Sequence, residues 1–564
     1  MIWIRSFWFF AISFGVAIAI LLSCQSSQSI SIPESSSQEI SKKAIADVSK
    51  DKALSVDLGF RPETNGFSFE NYGNENGIQN LTPASMQHMF GKQVCATQGE
   101  ACILTPPAER WMEETNKGMN GGHCEGMAAL SLLLYTDKAR VDEFGKTPDL
   151  ALQGNTRLQH EIAYWFATQG VVPTAASEIR DKTPVEILNL LTDGLKSTNS
   201  PTYTMGIYQQ GFKGGHAITP YAIEDLGNDK VAVLVYDNNH PKLERRLEID
   251  RNANTWKYNA STKPDEAESM YIGDAESKTL TLTPTPPRLQ QQQCDFCGNA
   301  ESASNEPKEV IAKSKAIATG KFNQIFLEGD SDLLITKGSS KIGYENGKFI
   351  NAFPGAFFIP MKSANLWEDD EEPLYNIPLG TPFTMTLQSS SETKGKEPTE
   401  VVMIGPGYDV GLSGIKVAVG QKDSIQFGAN GRSLAYKPSN PESPNILFGI
   451  ATDKDDYEFE LDDVEIDAGG TLSANLDTAK GRLGIKIADT KQEAGFNLIL
   501  SRIDNQREQT FEGEGLTLDS GDTLYLDYAK WTGNGGKLTI ELDKGSDGTI
   551  DQVTTLNDKK SKPK

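Results

Sequence analysis

Beyond about residue 308 the sequence alternates apolar and polar residues almost without interruption, and this period of two constrains the fold more than any other feature. It runs through Tyr457-Glu458-Phe459-Glu460-Leu461, Leu483-Gly484-Ile485-Lys486-Ile487, Leu524-Tyr525-Leu526 and Lys537-Leu538-Thr539-Ile540-Glu541-Leu542. Successive side chains on a strand point to opposite faces, so each stretch buries one face and wets the other. Asn346-Gly347, between Lys341-Ile342-Gly343-Tyr344 and Lys348-Phe349-Ile350, is a hairpin turn. Many short strands joined by Gly, Asn and Asp turns predict a β-sandwich-like, all-β region. We divide it into domains at 309–410 and 411–564, although no sharp linker marks the division and no internal repeat stands out. The acidic, Gly-rich run from Asp543 to Asp551 lacks the regular spacing and terminal Glu of a calcium loop and is read as a turn, so no metal site is expected.

The N-terminus obeys a different rule. Arg5 precedes an uncharged apolar run from Phe7 to Leu22 that stops at Leu21-Leu22-Ser23-Cys24. The run is too short and too abruptly ended for a comfortable spanning helix, and residues 1–24 read as a signal peptide. Its end resembles the bacterial lipobox, which implies a palmitate-type lipid on Cys24. The expectation is an exported chain, anchored to a bacterial membrane through that lipid and facing the periplasm or the cell exterior. Residues 25–78 begin Ser/Gln/Glu-rich, with few bulky apolar groups, and are expected to form a flexible tether. The net charge of −23, from 77 acidic and 54 basic residues, lacks any dense basic patch and argues against nucleic acid as a partner. The sequence sets no oligomeric state.

Residues 79–290 mix both periods, helices first. Thr105-Pro106-Pro107 opens a helix that ends before Gly118. Leu158, Ile162, Trp165 and Phe166 mark a second, and Thr183-Pro184-Val185-Glu186 is a capping box with proline at the first helical position. Tyr203-Thr204-Met205-Gly206-Ile207 then reads as a strand. An α+β domain is expected here, followed by a polar linker at 291–308 that contains Cys294-Asp295-Phe296-Cys297.

Six cysteines have separable uses once export is accepted. Cys24 takes the lipid. Cys95 and Cys102 flank a Gly-containing loop, and Cys294 and Cys297 form the CxxC; all four are expected to be oxidised rather than to hold zinc, with three connectivities open. Cys124 is left over. It follows Gly121-Gly122-His123 and opens the apolar run Met127-Ala128-Ala129-Leu130-Ser131-Leu132-Leu133-Leu134. A sulfur in the first turn of a helix sits where free N–H groups favour a thiolate and could receive an oxyanion. Of the five histidines, His88 and His160 lie in helical patterns and His123 is adjacent to the sulfur, whereas His216 follows Gly214-Gly215 and opens a strand-like run, Ala217 to Glu224. A turn at Asp225 to Asp229 and a β-branched strand, Val231 to Tyr236, complete a hairpin that brings Asp237 opposite His216. Pro220 suggests an edge or a bulge.

The order of a cysteine at a helix start, Gly-His-Ala-Ile opening a strand and Tyr-Asp-Asn closing the next resembles the papain-like cysteine peptidases, a superfamily that includes transglutaminase-like proteins. The resemblance covers about residues 79–290. It implies Cys124 as nucleophile, His216 as general base and Asp237 as orienting residue, with Asn238 as the alternative for the last. Asn120 stands in for the family's oxyanion glutamine, a departure from the pattern. The resulting expectation is a cysteine hydrolase working through a thioester on a peptide or cell-wall peptide, with no cofactor. Two alternatives stay open: a transglutaminase-like acyl-transferase, and a non-catalytic surface binding protein built on a degenerate papain-like scaffold.

Overall fold

The computed structural model describes residues 54–558, apart from 76, 98–100, 197–200, 213, 261–269, 299–320, 364–371, 390–396, 492, 505 and 534–535. The signal segment, Cys24, the first part of the tether and most of the 291–308 linker lie outside the described residues. No described helix is long and apolar enough to cross a membrane.

The first half is a mixed α+β structure. Its antiparallel sheet has eight strands, in the order 270–274, 255–259, 244–250, 230–237, 216–227, 203–207 and 280–284, with 54–57 also pairing against 216–227. Residues 54–78 are therefore not tether: Leu54–Asp57 is a strand, and Phe60 and Phe67 are fully buried. The expected helices form at Pro106–Gly118, Cys124–Thr136, Thr156–Ala167 and Pro184–Leu195. The capping box of the last is complete, with the Thr183 side chain accepting from the Glu186 amide and Glu186 accepting from the Thr183 amide. Cys124–Thr136 is buried on every side from Cys124 to Leu134, as expected of a helix that is apolar all round. It packs so closely on Thr156–Ala167 that a Cβ at Gly126 would lie 2.1 Å from the Ile162 carbonyl oxygen.

The second half is almost wholly antiparallel strand, in one sheet of eleven and one of nine that share a single apolar core running from Ile325 to Ile540. Residue 410 lies inside strand Tyr408–Ile415, and both sheets continue past it. From residue 399 the chain lays two strands in the nine-stranded sheet, then two in the eleven-stranded sheet, and does so three times, with one further strand, 552–556, closing the eleven-stranded sheet. Each passage from the former to the latter holds two residues with positive φ six positions apart: Gly414 and Gly420, Asp463 and Gly469, Gly515 and Gly521. Between them stand Ile415-Lys416-Val417, Val464-Glu465-Ile466 and Leu516-Thr517-Leu518. This is a repeat of roughly 50 residues. It eluded the sequence because its markers are backbone conformations, which Gly and Asp both satisfy.

The two halves share a core. Val402 and Ile404 of the nine-stranded sheet pack into the cluster of Phe90, Trp111 and Phe166. Trp111 Nε1 donates to Gln324 Oε1 at 3.0 Å, Arg110 reaches Glu458 at 3.1 Å and Asp409 at 3.8 Å, and Lys117 reaches Glu400 at 2.7 Å. The CxxC segment is not linker either. Phe296 is buried, stacks on Trp111 with centroids 5.2 Å apart and meets Phe90 edge-on. Both disulfides are local, Cys95–Cys102 and Cys294–Cys297, so cross-pairing does not occur. In the Asp543–Asp551 run the Asp543 carboxylate accepts the amides of Asp547 and Gly548 at 3.0 Å each.

Candidate functional site

Two bulges in the 216–227/230–237 hairpin change the expected register. The turn is Asn228-Asp229, both at positive φ, and the irregularities at Asp225/Gly227 and Pro220/Ala222 bring Ile218, not His216, opposite Asp237. His216 is two residues along the same strand, hence on the same face, and its Nε2 still meets Asp237 Oδ1 at 2.8 Å. Asp237 is further held by the Asn239 amide at 2.9 Å and by the Tyr258 hydroxyl. Cys124 occupies the first turn of its helix and packs against Ala128 and Ala217. The Ala217 amide donates to its Sγ at 3.3 Å.

Burial alone would lower the His216 pKa, but Asp237, and after it Cys124, outweigh burial and raise it to about 10. Asp237 is pushed up by burial and drawn further down by the His216 cation and its hydrogen bond, ending well below the usual carboxylate range. His216 Nδ1 makes no hydrogen bond of ordinary geometry, although Cys124 lies near enough to the ring to help raise its pKa. The remaining expected residues do other work. Asn238 Nδ2 donates to the carbonyls of Cys124 at 2.9 Å and Ala217 at 3.2 Å, so it clamps two backbones rather than orienting the ring. Asn120 is exposed, in the turn before the helix that carries the enclosed sulfur. His123 stacks on Tyr72, its ring nitrogens 2.6 Å from the Tyr72 carbonyl and 2.8 Å from Asn80 Oδ1, and burial lowers its pKa to about 4.

The expectation of a cysteine hydrolase, with its enzyme assignment and thioester intermediate, is overturned. A nucleophile must admit a carbonyl group and then water, yet Cys124, His216 and Asp237 are each 0% exposed. Of the five cysteines among the described residues, four are bridged and the fifth is enclosed. Cys124 Sγ donates instead to the carbonyl oxygen of Lys362, 3.2 Å away, which occupies the approach to the sulfur. Among the described residues no group of three or more His, Cys, Asp or Glu side chains is placed to hold a metal.

What covers the sulfur is a strap, Met361-Lys362-Ser363, lying flush on three glycines. A Cβ at Gly215 would be 2.0 Å from the Met361 carbonyl oxygen, one at Gly122 would be 2.5 Å from that of Ser363, and one at Gly206 would be 2.9 Å from Lys362 Cδ. Real Cβ atoms do not approach so closely, so these positions leave room for a backbone and a lysine stem because they lack side chains. The Lys362 amide donates to Gln169 Oε1 at 2.9 Å, and the Tyr208 hydroxyl to the Pro360 carbonyl at 3.3 Å. The Lys362 side chain runs inward to Glu178 Oε1 at 2.8 Å and Thr283 Oγ1 at 3.1 Å, with Glu125 Oε1 at 3.7 Å. Burial raises the Glu178 pKa, but Lys362 and then Arg180 more than reverse it, to about 2. Glu125 is also paired with the fully buried Arg288, which donates to Thr168 Oγ1 at 2.9 Å and Thr204 Oγ1 at 3.0 Å. Glu125 carried a sequence signal, since a carboxylate in an otherwise apolar helix needs a buried cation. Lys362, Glu178, Gln169 and Arg288 stand in no motif. No family model matches the chain, and neither the curated proteins nor the solved structures give a match.

Proposed function

We propose that this chain is an exported, lipid-anchored protein that binds an extended peptide in the groove beside Cys124, without cleaving it. The observation that supports this reading is the strap: a short segment lies against three glycines and is held through its backbone at Lys362 and Pro360. Glycines that let one backbone lie on another are a general means of accepting main chain of varied sequence. The order of helix-borne cysteine and strand-borne histidine and aspartate supports a papain-like scaffold for the first half. The paired sheets with one core support a β-sandwich-like second half. The lipobox-like Cys24 supports the anchor.

Binding is tested with fluorescent acetyl-Ile-Pro-Met-Lys-Ser-amide, the strap's own sequence, on the full chain carrying Lys362→Ala. Saturable anisotropy is expected with the variant, and much weaker binding with the intact protein, whose strap fills the groove. A variant that folds and shows no saturable binding would remove the reading. The anchor is tested separately by metabolic labelling with a fatty-acid analogue, where label on the natural chain and none on Cys24→Ser is expected.

A further inference from the structure

The surroundings of the Lys362 side chain are chemically specific, and they form the side pocket of the proposed groove. Its floor is Gly206, its end is the carboxylate of Glu178, and the second carboxylate, Glu125, stands just beyond hydrogen-bonding reach. Glu125, Glu178 and Lys362 have side chains no more than 3% exposed. A buried carboxylate pair is costly unless cations meet it. Two arginines already do so, Arg288 at Glu125 and Arg180 at Glu178. The lysine is a third cation, so its departure leaves neither carboxylate without a partner, and the pocket can exist open. A primary ammonium at the end of four methylenes suits it. The stem lies against Gly206, and the compact head takes Glu178 and Thr283 as acceptors. A guanidinium is planar and broader, and Arg288 already occupies the inner end at Glu125.

Resting on the reading of the groove as a peptide site, we infer that its ligand is an extended peptide bearing a lysine, whose side chain enters the Glu178 pocket, and that Lys362 is the competing occupant supplied by the chain itself. The strap then sets the apparent affinity. A tethered competitor acts at high effective concentration, so an outside peptide binds only to the fraction of molecules whose strap is out. Weakening the strap at Lys362 raises that fraction without touching the pocket walls.

The experiment measures alkylation of Cys124 in the full chain carrying Lys362→Ala, with the sulfur serving only as a reporter of cover. Acetyl-Ile-Pro-Met-Lys-Ser-amide is compared with the same peptide carrying norleucine in place of lysine, which keeps the stem and removes the ammonium. The variant is expected to alkylate faster than the natural chain, and the lysine peptide to restore protection at a concentration about tenfold or more below that of the norleucine peptide, as for a hydrogen bond to a charged group. Glu178→Gln added to Lys362→Ala is expected to shrink that ratio, which loss of packing alone would not do. Should Lys362→Ala fail to fold, Lys362→Met keeps the stem in the pocket and removes only the charge. Equal protection by the two peptides would overturn selection for lysine while leaving the peptide groove standing. A fast-reacting Cys124 that neither peptide protects would overturn the groove as well. A Cys124 that stays as slow as in the natural chain would show that the strap does not exchange, and would overturn the inference.

Discussion

Gly215→Ala bears first on the strap, with Tyr208 the next neighbour to feel it. Gly215 is buried and has no positive φ, so alanine there carries no backbone strain. The new Cβ would meet the Met361 carbonyl oxygen at 2.0 Å and Tyr208 Cε1 at 2.7 Å. A carbonyl held by the backbone cannot swing aside as a flexible side chain would, so the strap must lift by about an ångström or more to reach ordinary van der Waals contact. Overpacking of this kind costs about 1–3 kcal/mol. Cost falling on the closed strap alone raises the population of lifted molecules by about 5- to 150-fold, at a factor of ten for each 1.4 kcal/mol. Alkylation of Cys124 under native conditions reads that population directly, provided closing is fast compared with alkylation. Gly118→Ala is the control: its Cβ would meet nothing within 4 Å, and it stands six residues before the sulfur. The alkylation rate is expected to rise with Gly215→Ala and to stay unchanged with Gly118→Ala. A Gly215→Ala protein that is folded, yet alkylates at the natural rate, would refute the claim that the strap is what seals Cys124.

The remaining predictions concern the frame that holds the groove. Unreduced mass spectrometry should find Cys95–Cys102 and Cys294–Cys297 bridged; replacing the first pair by alanines should cost about 2–3 kcal/mol in denaturant unfolding, as chain entropy gives for so short a loop, and no measurable cost would contradict it. Burial, followed by neighbouring carboxylates for Glu114, and burial against the opposing pull of Arg110 for Asp409, raise both acids to about 7. The folded protein therefore holds more protons than the unfolded chain between about pH 4 and 7, so stability should fall as pH rises through that window, and Asp409→Asn should flatten the fall in the thermal midpoint; a midpoint that rises from pH 5 to 8 would sink this. His216, raised to about 10, contributes stability that is complete below pH 6.5 and is lost as pH rises through about 10. His216→Gln should weaken the alkaline loss, and an identical alkaline limb would count against the ion pair with Asp237. In the repeats, Gly420→Ala should cost about 1–2 kcal/mol for a left-handed residue in open space. Gly431→Ala should cost about 1–3 kcal/mol more, because its Cβ would lie 1.9 Å from the Tyr408 ring, and equal costs would show that the contact is not felt.

What the sequence determined by itself is whatever depends on neighbours along the chain. The period of two gives the strands of the second half, and the 3.6-residue period and the Thr183 box give the helices; the four cysteines were legible as oxidised, but which of three connectivities they take was left to the fold. The order Cys124, His216, Asp237 on helix, strand and strand was legible for the same reason, and His216 does meet Asp237. Even there the register was not, because two bulges depend on how Pro220 and the Asn228-Asp229 turn settle into a sheet with partners on both sides. Residues 54–78 and Cys294–Cys297 look polar when read alone and are ordered only because an existing strand edge and the Phe90/Trp111 cluster accept them. The enclosure of Cys124 turned on a contact that no local pattern encodes. Lys362 is 238 residues from Cys124 and 184 from Glu178, and it lies in a stretch with no motif. A reactive-looking triad and an enclosed one share the same sequence pattern; which of them a chain makes depends on whether a remote segment finds the glycines that let it lie there, and that is settled only when the two halves pack on one core.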